Sequence, residues 1–301
     1  MTTLQELLGS GLVRERVPLG PFTTYKSGGP ARYFVEVPDE QTLGDLGSSG
    51  ALGDLPILVL GRGSNLVVSD AGFHGIVIRL GPLFGTVAVE DTTVRAGGSA
   101  PLAQVARTSV DSGLAGLEFF VGIPGSVGGA IRQNAGCFGT ETRDRLIRAR
   151  IIELSDGTVA ETGPDELDMS YRHSNLGPSQ VVVEAVFAAA PGDVATGRAE
   201  LRRITRWRRD HQPGGTFNAG SVFKNPPGIT AGELIDSLGL KGMRVGDVAV
   251  SEKHANFFVA GSGATSDDIW RLVRRVKDRV LEETGTNLEP EIQFVGFEDG
   301  H

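Results

Sequence analysis

Short apolar runs separated by turn residues fill most of the first two thirds of the chain. Segments 57–60, 75–80, 87–94, 147–154 and 181–187, with 291–297 near the end, read as strands bounded by turn formers. Ser155-Asp156-Gly157 reads as a hairpin turn. Leu102, Val105, Ala106 and Val110 instead recur at helical spacing, in a segment that ends near Gly113. Helices take over from about Gly192. Over 198–209, Leu201, Ile204 and Trp207 mark one face among six arginines. Thr230 with Glu233, and Thr265 with Asp268, have the spacing of capping boxes, in which each side chain bonds the other residue's N–H. The first of these helices should stop near Gly239. The second carries Ile269, Leu272, Val273, Val276 and Val280 on one face and should end at Gly285. The change of pattern predicts two domains, 1–195 and 196–301.

Composition narrows the function classes. The 301 residues are 40% hydrophobic and 22% charged, as in ordinary globular proteins, but 43 glycines suggest many close backbone approaches. A net charge of -8 argues against a protein that coats nucleic acid or an anionic membrane, and points to a small-molecule partner. Cys137 is the single cysteine, so no intrachain disulfide or cysteine-based zinc cluster can form. No apolar run approaches the roughly 20 residues that span a bilayer, and residues 1–16 lack a leader pattern. A cytoplasmic protein acting as a monomer is expected.

Most chemical motifs fail on inspection. LGRGSNLVVSDAGFHG (60–75) follows a strand, but a dinucleotide fingerprint would need its third glycine at Leu66 and a helix next. No lysine sits in a Walker A loop, no Gly-x-Ser-x-Gly occurs, and His74, His173, His211, His254 and His301 lack metal-site spacing, so no metal is expected. VGIPGSVGGAIRQNAGCFG (121–139) reads either as a pair of turns or as bare backbone that cradles a pyrophosphate.

Taken with TTYKSGGPA (23–31), these clusters resemble the FAD-binding half of the UDP-N-acetylenolpyruvoylglucosamine reductase family. The likeness continues in order through DMSYRHS (168–174), NAGSVFKNP (218–226), AGELIDSLGLKG (231–242), VSEKHANFFV (250–259) and LEPEIQFVG (288–296). It implies an α+β fold, with an FAD domain of the vanillyl-alcohol-oxidase type followed by a smaller α+β substrate-binding domain. Only a compact strand and helix fit between Arg172 and Ser221, which resembles the family's shorter class, without an inserted tyrosine loop. The implied reaction is NADPH-dependent, FAD-mediated reduction of UDP-N-acetylglucosamine enolpyruvate to UDP-N-acetylmuramate, which serves peptidoglycan synthesis, cell shape and cell division. Implied pyrophosphate contacts are Gly61, Gly63, Ser64, Asn65, Gly122, Ile123, Gly125, Ser126, Gly128 and Asn134. Arg132-Gln133 departs from the family, where an apolar residue is commoner.

The resemblance also implies the catalytic set. Hydride arrival at the β-carbon of an α,β-unsaturated carboxylate leaves an enediolate-like anion, which fixed donors and cations stabilise. Arg172 suits a carboxylate through its guanidinium fork. Ser221 matches the proton donor to the α-carbon; its plainer reading is a small residue in a turn. Glu291 assists only as a hydrogen-bond donor, and Glu289 two residues earlier would share its strand face. Tyr171, Lys224, Asn225 and, by a looser match, Arg209 are implied substrate contacts. Two other readings stay open: a flavin oxidase acting on a hydroxy acid or alcohol, and a nucleotide-binding sensor without catalysis.

Overall fold

The computed structural model describes residues 4–297, with Leu4 and Gln5 described by backbone alone. The outer ends of the two expected domains, and His301 with them, lie outside the described residues. The chain forms two compact units that alternate in sequence rather than meeting at one point. One comprises Met1–Glu15, Tyr33–Arg62 and Gly75–Trp207, the other Arg16–Arg32, Gly63–His74 and Arg208–His301, as far as the described residues reach.

In the first unit, Gln180–Ala188 is apolar along nearly its whole length because both of its faces are covered. Val181 and Val183 join a core with Val35, Ile76 and Ile78, while Val182, Ala185 and Phe187 join another with Leu102, Val105 and Phe120. Its antiparallel neighbours are Leu146–Glu153 and Thr93–Gly97. The hairpin expected at 155–157 joins Leu146–Glu153 to Val159–Thr162, with Gly157 at φ 76°. Segment 87–94 is not one strand. Val87–Glu90 pairs with Thr93–Gly97 around Asp91, whose left-handed φ of 50° an aspartate tolerates in a turn. Between Arg172 and Ser221 lie the Gln180–Ala188 strand, a two-residue strand and the helix Val194–His211, as compact as expected.

The second unit follows its local signals closely. Ala231–Ser237 and Ser266–Thr284 begin after Thr230 and Thr265 with both reciprocal capping bonds made, and Gly285 ends the latter helix at φ 72°. Ile269, Leu272, Val273, Val276 and Val280 fill the core as their spacing predicts. Leu66–Val68 pairs in parallel with Gln293–Val295, which brings the early glycine motif into this core. Tyr25 is buried in the same core, and its hydroxyl donates to Phe258 O at 3.2 Å. Burial pushes its pKa up, so it stays a neutral donor.

Replacing Tyr25 by Phe leaves a buried carbonyl without this donor, and should lower stability by about 1–3 kcal/mol. A lower urea midpoint at unchanged slope is the expected result, and an unchanged midpoint would refute the role given to this bond.

Candidate active site

In the first unit, Arg172 holds a left-handed backbone (φ 54°), uncommon for a side chain of its size. Its guanidinium donates to Gly136 O at 3.0 Å, pairs with Glu141 at 3.5 Å and lies 4.9 Å from the Tyr171 ring centre. The Arg172 side chain is 18% exposed, so the cation is neither lost in the core nor fully solvated. Tyr171 is exposed beside it. Asn134, also left-handed (φ 40°) and 0% exposed, holds the same loops. Its Nδ2 donates to Glu141 Oε2 at 2.9 Å and Ser170 O at 2.8 Å, and its Oδ1 accepts from Arg143 N–H at 2.9 Å. The Asn134 side chain is therefore occupied within the protein. It braces the Tyr171-Arg172 turn.

The glycines of 121–139 divide by purpose. A Cβ on Gly122 would meet Cys137 Sγ at 2.9 Å, and one on Gly128 would meet Gly98 O at 3.3 Å, so both make room for packing. The Gly128 N–H also donates to Gly98 O at 2.8 Å. Gly61 is different. Its bare face abuts the buried Ser126, where a Cβ would lie 2.6 Å from Oγ, and Gly129 presents a second bare face to the same oxygen, at 3.5 Å. Ser126 Oγ makes no capping bond to the helix it precedes, Val127–Arg132. A hydroxyl flanked by side-chain-free backbone suits a phosphate oxygen. Ile123 and Gly125 lie half-buried just before it. Arg132 explains its own departure from the family pattern: its guanidinium caps Leu176 O at 3.2 Å and Gly177 O at 2.7 Å, and burial lowers its pKa.

In the second unit, Gly63 turns at φ 61°, and a Cβ there would strike the backbone of Phe22 and Thr23. Ser64 follows. Asn65 was expected at the pyrophosphate, but its Nδ2 donates to Glu291 O at 3.0 Å and its carbonyl accepts from Gln293 N–H at 2.9 Å. It therefore fixes the segment that carries Glu291. Glu291 N–H donates in turn to Val222 O at 2.8 Å, so Ser221 and Glu291 come from laterally bonded segments. Ser221 is half-buried, and among the described residues its hydroxyl has no hydrogen-bond partner. Glu289 is 69% exposed and bonds Lys224 Nζ at 2.7 Å, which separates it from the half-buried Glu291. Asn225 Oδ1 accepts the first N–H of the helix Ala231–Ser237, at 3.0 Å. Arg209 is exposed and pairs with Asp210 at 3.1 Å, as a solvated surface arginine does. Sequence reasoning did not single out Asn256 inside SEKHANF, a 3% exposed side chain that bonds both backbone polar groups of Phe223.

His254 is structural: Nδ1 accepts the Asn256 N–H at 3.3 Å, and burial lowers its pKa. Among the described residues there is no group of side chains able to hold a metal ion, and no helix is long and apolar enough to cross a membrane.

Family models match two stretches of the chain, an FAD binding domain at 32–163 and the UDP-N-acetylenolpyruvoylglucosamine reductase C-terminal domain at 212–295. A reductase of that name from Erythrobacter litoralis is 44% identical over 289 residues, 95% of this chain and 88% of the relative. One from Symbiobacterium thermophilum is 44% identical over 287 residues, 95% of this chain and 93% of the relative. The crystal structure of UDP-N-acetylenolpyruvylglucosamine reductase from Thermus caldophilus superposes with a TM-score of 0.81 at 37% identity, covering 94% of this chain and 99% of that one.

Because the folded pKa of His254 lies below the ordinary 6.5, the fold binds fewer protons here than the unfolded chain. Its contribution to stability is present above about pH 6.5 and is lost as the pH falls through that value. The melting temperature of the parent should thus fall faster than that of His254→Asn between about pH 7.5 and 5.5, and parallel curves would overturn the reading.

Proposed function

The chain belongs to the UDP-N-acetylenolpyruvoylglucosamine reductase family, and from that premise we propose that Arg172, Ser221 and Glu291 carry the second half of its reaction. The α+β chain, with its FAD-binding domain, is an FAD-dependent oxidoreductase that reduces UDP-N-acetylglucosamine enolpyruvate to UDP-N-acetylmuramate, with NADPH as donor, for peptidoglycan precursor synthesis. FAD, when bound, would supply the hydride chemistry that links NADPH to the β-carbon of the enolpyruvyl group.

Within each unit the residues present suit such a group: Gly61 and Ser126, with Ile123 and Gly125, in the first, and Gly63 with Ser64 in the second, would offer bare backbone and hydroxyls to the pyrophosphate. Arg172 receives the substrate carboxylate, where negative charge grows as hydride arrives. Ser221 Oγ gives its proton to the α-carbon, which completes the addition of hydride and proton across the double bond. Glu291 donates a hydrogen bond to the developing anion. On this reading Tyr171 of the first unit and Lys224 and Asn225 of the second contact the substrate, with Lys224 tethered by Glu289 and Asn225 by the helix start beside it. The observation that carries this reading is the bond from Glu291 N–H to Val222 O, which ties the neighbour of Ser221 to Glu291 itself. On the same reading, 1–195 is the flavin-binding part and 196–301 the substrate-binding part. The enzyme works as a cytoplasmic monomer, in keeping with its lone cysteine.

Ser221→Ala should leave flavin reduction by NADPH within about twofold of the parent, and slow reoxidation by the enolpyruvyl substrate by about 100-fold or more, measured by stopped-flow absorbance. Equal loss in both half-reactions would sink the assignment. Arg172→Lys keeps the charge but loses the fork, so reoxidation should slow about 10- to 100-fold in the same assay. Reoxidation at the parent rate would remove Arg172 from the site.

A further inference from the structure

Asn256 is 3% exposed and sits where a strand neighbour would be expected. Its side chain does the work of that neighbour: Phe223 N–H donates to Oδ1 at 2.9 Å, and Nδ2 donates to Phe223 O at 2.8 Å. Its own carbonyl accepts Val222 N–H at 2.8 Å, and the next residue, Phe257, faces Ser221 in an isolated antiparallel bridge. Main chain cannot take over the task. Phe257 N–H is bonded to His254 O at 2.9 Å, Phe257 O accepts from Ser251 N–H at 2.8 Å, and Asn256 N–H goes to His254 Nδ1 at 3.3 Å. The turn at 251–257 thus uses its own backbone groups, leaving the amide of Asn256 as partner to both polar groups of Phe223, which is itself 1% exposed. On the other side of this segment, Val222 O accepts from Glu291 N–H at 2.8 Å, and Asn65 Nδ2 holds Glu291 O at 3.0 Å. Laterally, the order is 256–257, 221–223, 290–292, and then Asn65.

We propose that Asn256 is a positioning residue for proton delivery: its amide sets the orientation of Ser221 and the register of Ser221 with Glu291, so that the hydroxyl meets the substrate's α-carbon while the carboxyl meets the anion that develops beside it. The inference rests on the role given above to Ser221. Proton transfer to carbon demands alignment of donor and acceptor, so a displaced hydroxyl loses rate while hydride transfer into the flavin from NADPH does not depend on it. The pairing requires one donor and one acceptor on a single planar group. Aspartate keeps the shape and still accepts from Phe223 N–H, but turns a lone pair toward Phe223 O.

The test uses the full-length, flavin-loaded protein. Both half-reactions are followed by stopped-flow absorbance in H2O and D2O for the parent, Asn256→Asp and Ser221→Ala. For Asn256→Asp, reduction by NADPH within about twofold of the parent is expected, with reoxidation by the enolpyruvyl substrate slowed about 100-fold and a larger solvent isotope effect on that step. As the pH is lowered, the new carboxyl takes up a proton and regains a donor, so the ratio of variant to parent reoxidation rates should rise; His254, whose Nδ1 accepts the N–H of residue 256, is common to both proteins. Should Asn256→Asp fail to retain flavin, the smaller, uncharged Asn256→Ser is read by the same half-reaction split. Equal slowing of both half-reactions, or parent-like reoxidation while Ser221→Ala is crippled, overturns the positioning role alone. Parent-like reoxidation in Ser221→Ala overturns the reading of Ser221 and this inference with it.

Discussion

The bond from Glu291 N–H to Val222 O has no local cause, because its two residues come from distant parts of the chain. It exists because Leu66–Val68 and Gln293–Val295 pair in parallel and Asn65 grips Glu291 O from the other side. Parallel strands cannot be joined by a tight turn, so this pairing is made by tertiary structure and held by the buried apolar core around it. Everything assigned to the second unit depends on it. The glycine motif reaches that core through this strand, and Glu291 gets its place from it.

The first unit solves a different problem, that of holding the Arg172 cation in a fixed place. Glu141 stands 3.5 Å from Arg172, longer than a tight charge-assisted bond of roughly 2.7–2.9 Å, while its other oxygen is held at 2.9 Å by Asn134. The loop bears left-handed backbones at both Asn134 and Arg172, which persist only where surroundings impose them. The guanidinium is thus oriented by Gly136 O, Glu141 and the Tyr171 ring together.

Much of this was legible in the sequence where the cause is local. Thr230, Thr265 and Gly285 declare helix ends by their own chemistry, and the structure has them at those ends. The family resemblance singled out Ser221 and Glu291, but only the Lys224 partner of Glu289 separates the two glutamates. What stayed hidden is long-range. A glycine that makes room for Cys137, as Gly122 does, looks in sequence like one that makes room for a phosphate. The internal bonds of the Asn65 and Asn134 side chains are equally invisible, because an amide in sequence shows nothing of which groups its hydrogens meet. The alternation of the two units, likewise, follows from a strand pairing that no short window contains.

That pairing also imposes an order in time. All segments of the first unit have been synthesised once Trp207 has left the ribosome, whereas Leu66–Val68 waits for Gln293–Val295 before its partner exists. A nascent chain can close its first core early, as domains generally do during synthesis, yet must carry its glycine motif unpaired through the making of some two hundred further residues. In such a chain Val67 and Val68, buried in the finished fold, are open to wrong partners for most of translation, and the polar, charged stretch that follows them at Ser69-Asp70 is well placed to discourage sticking.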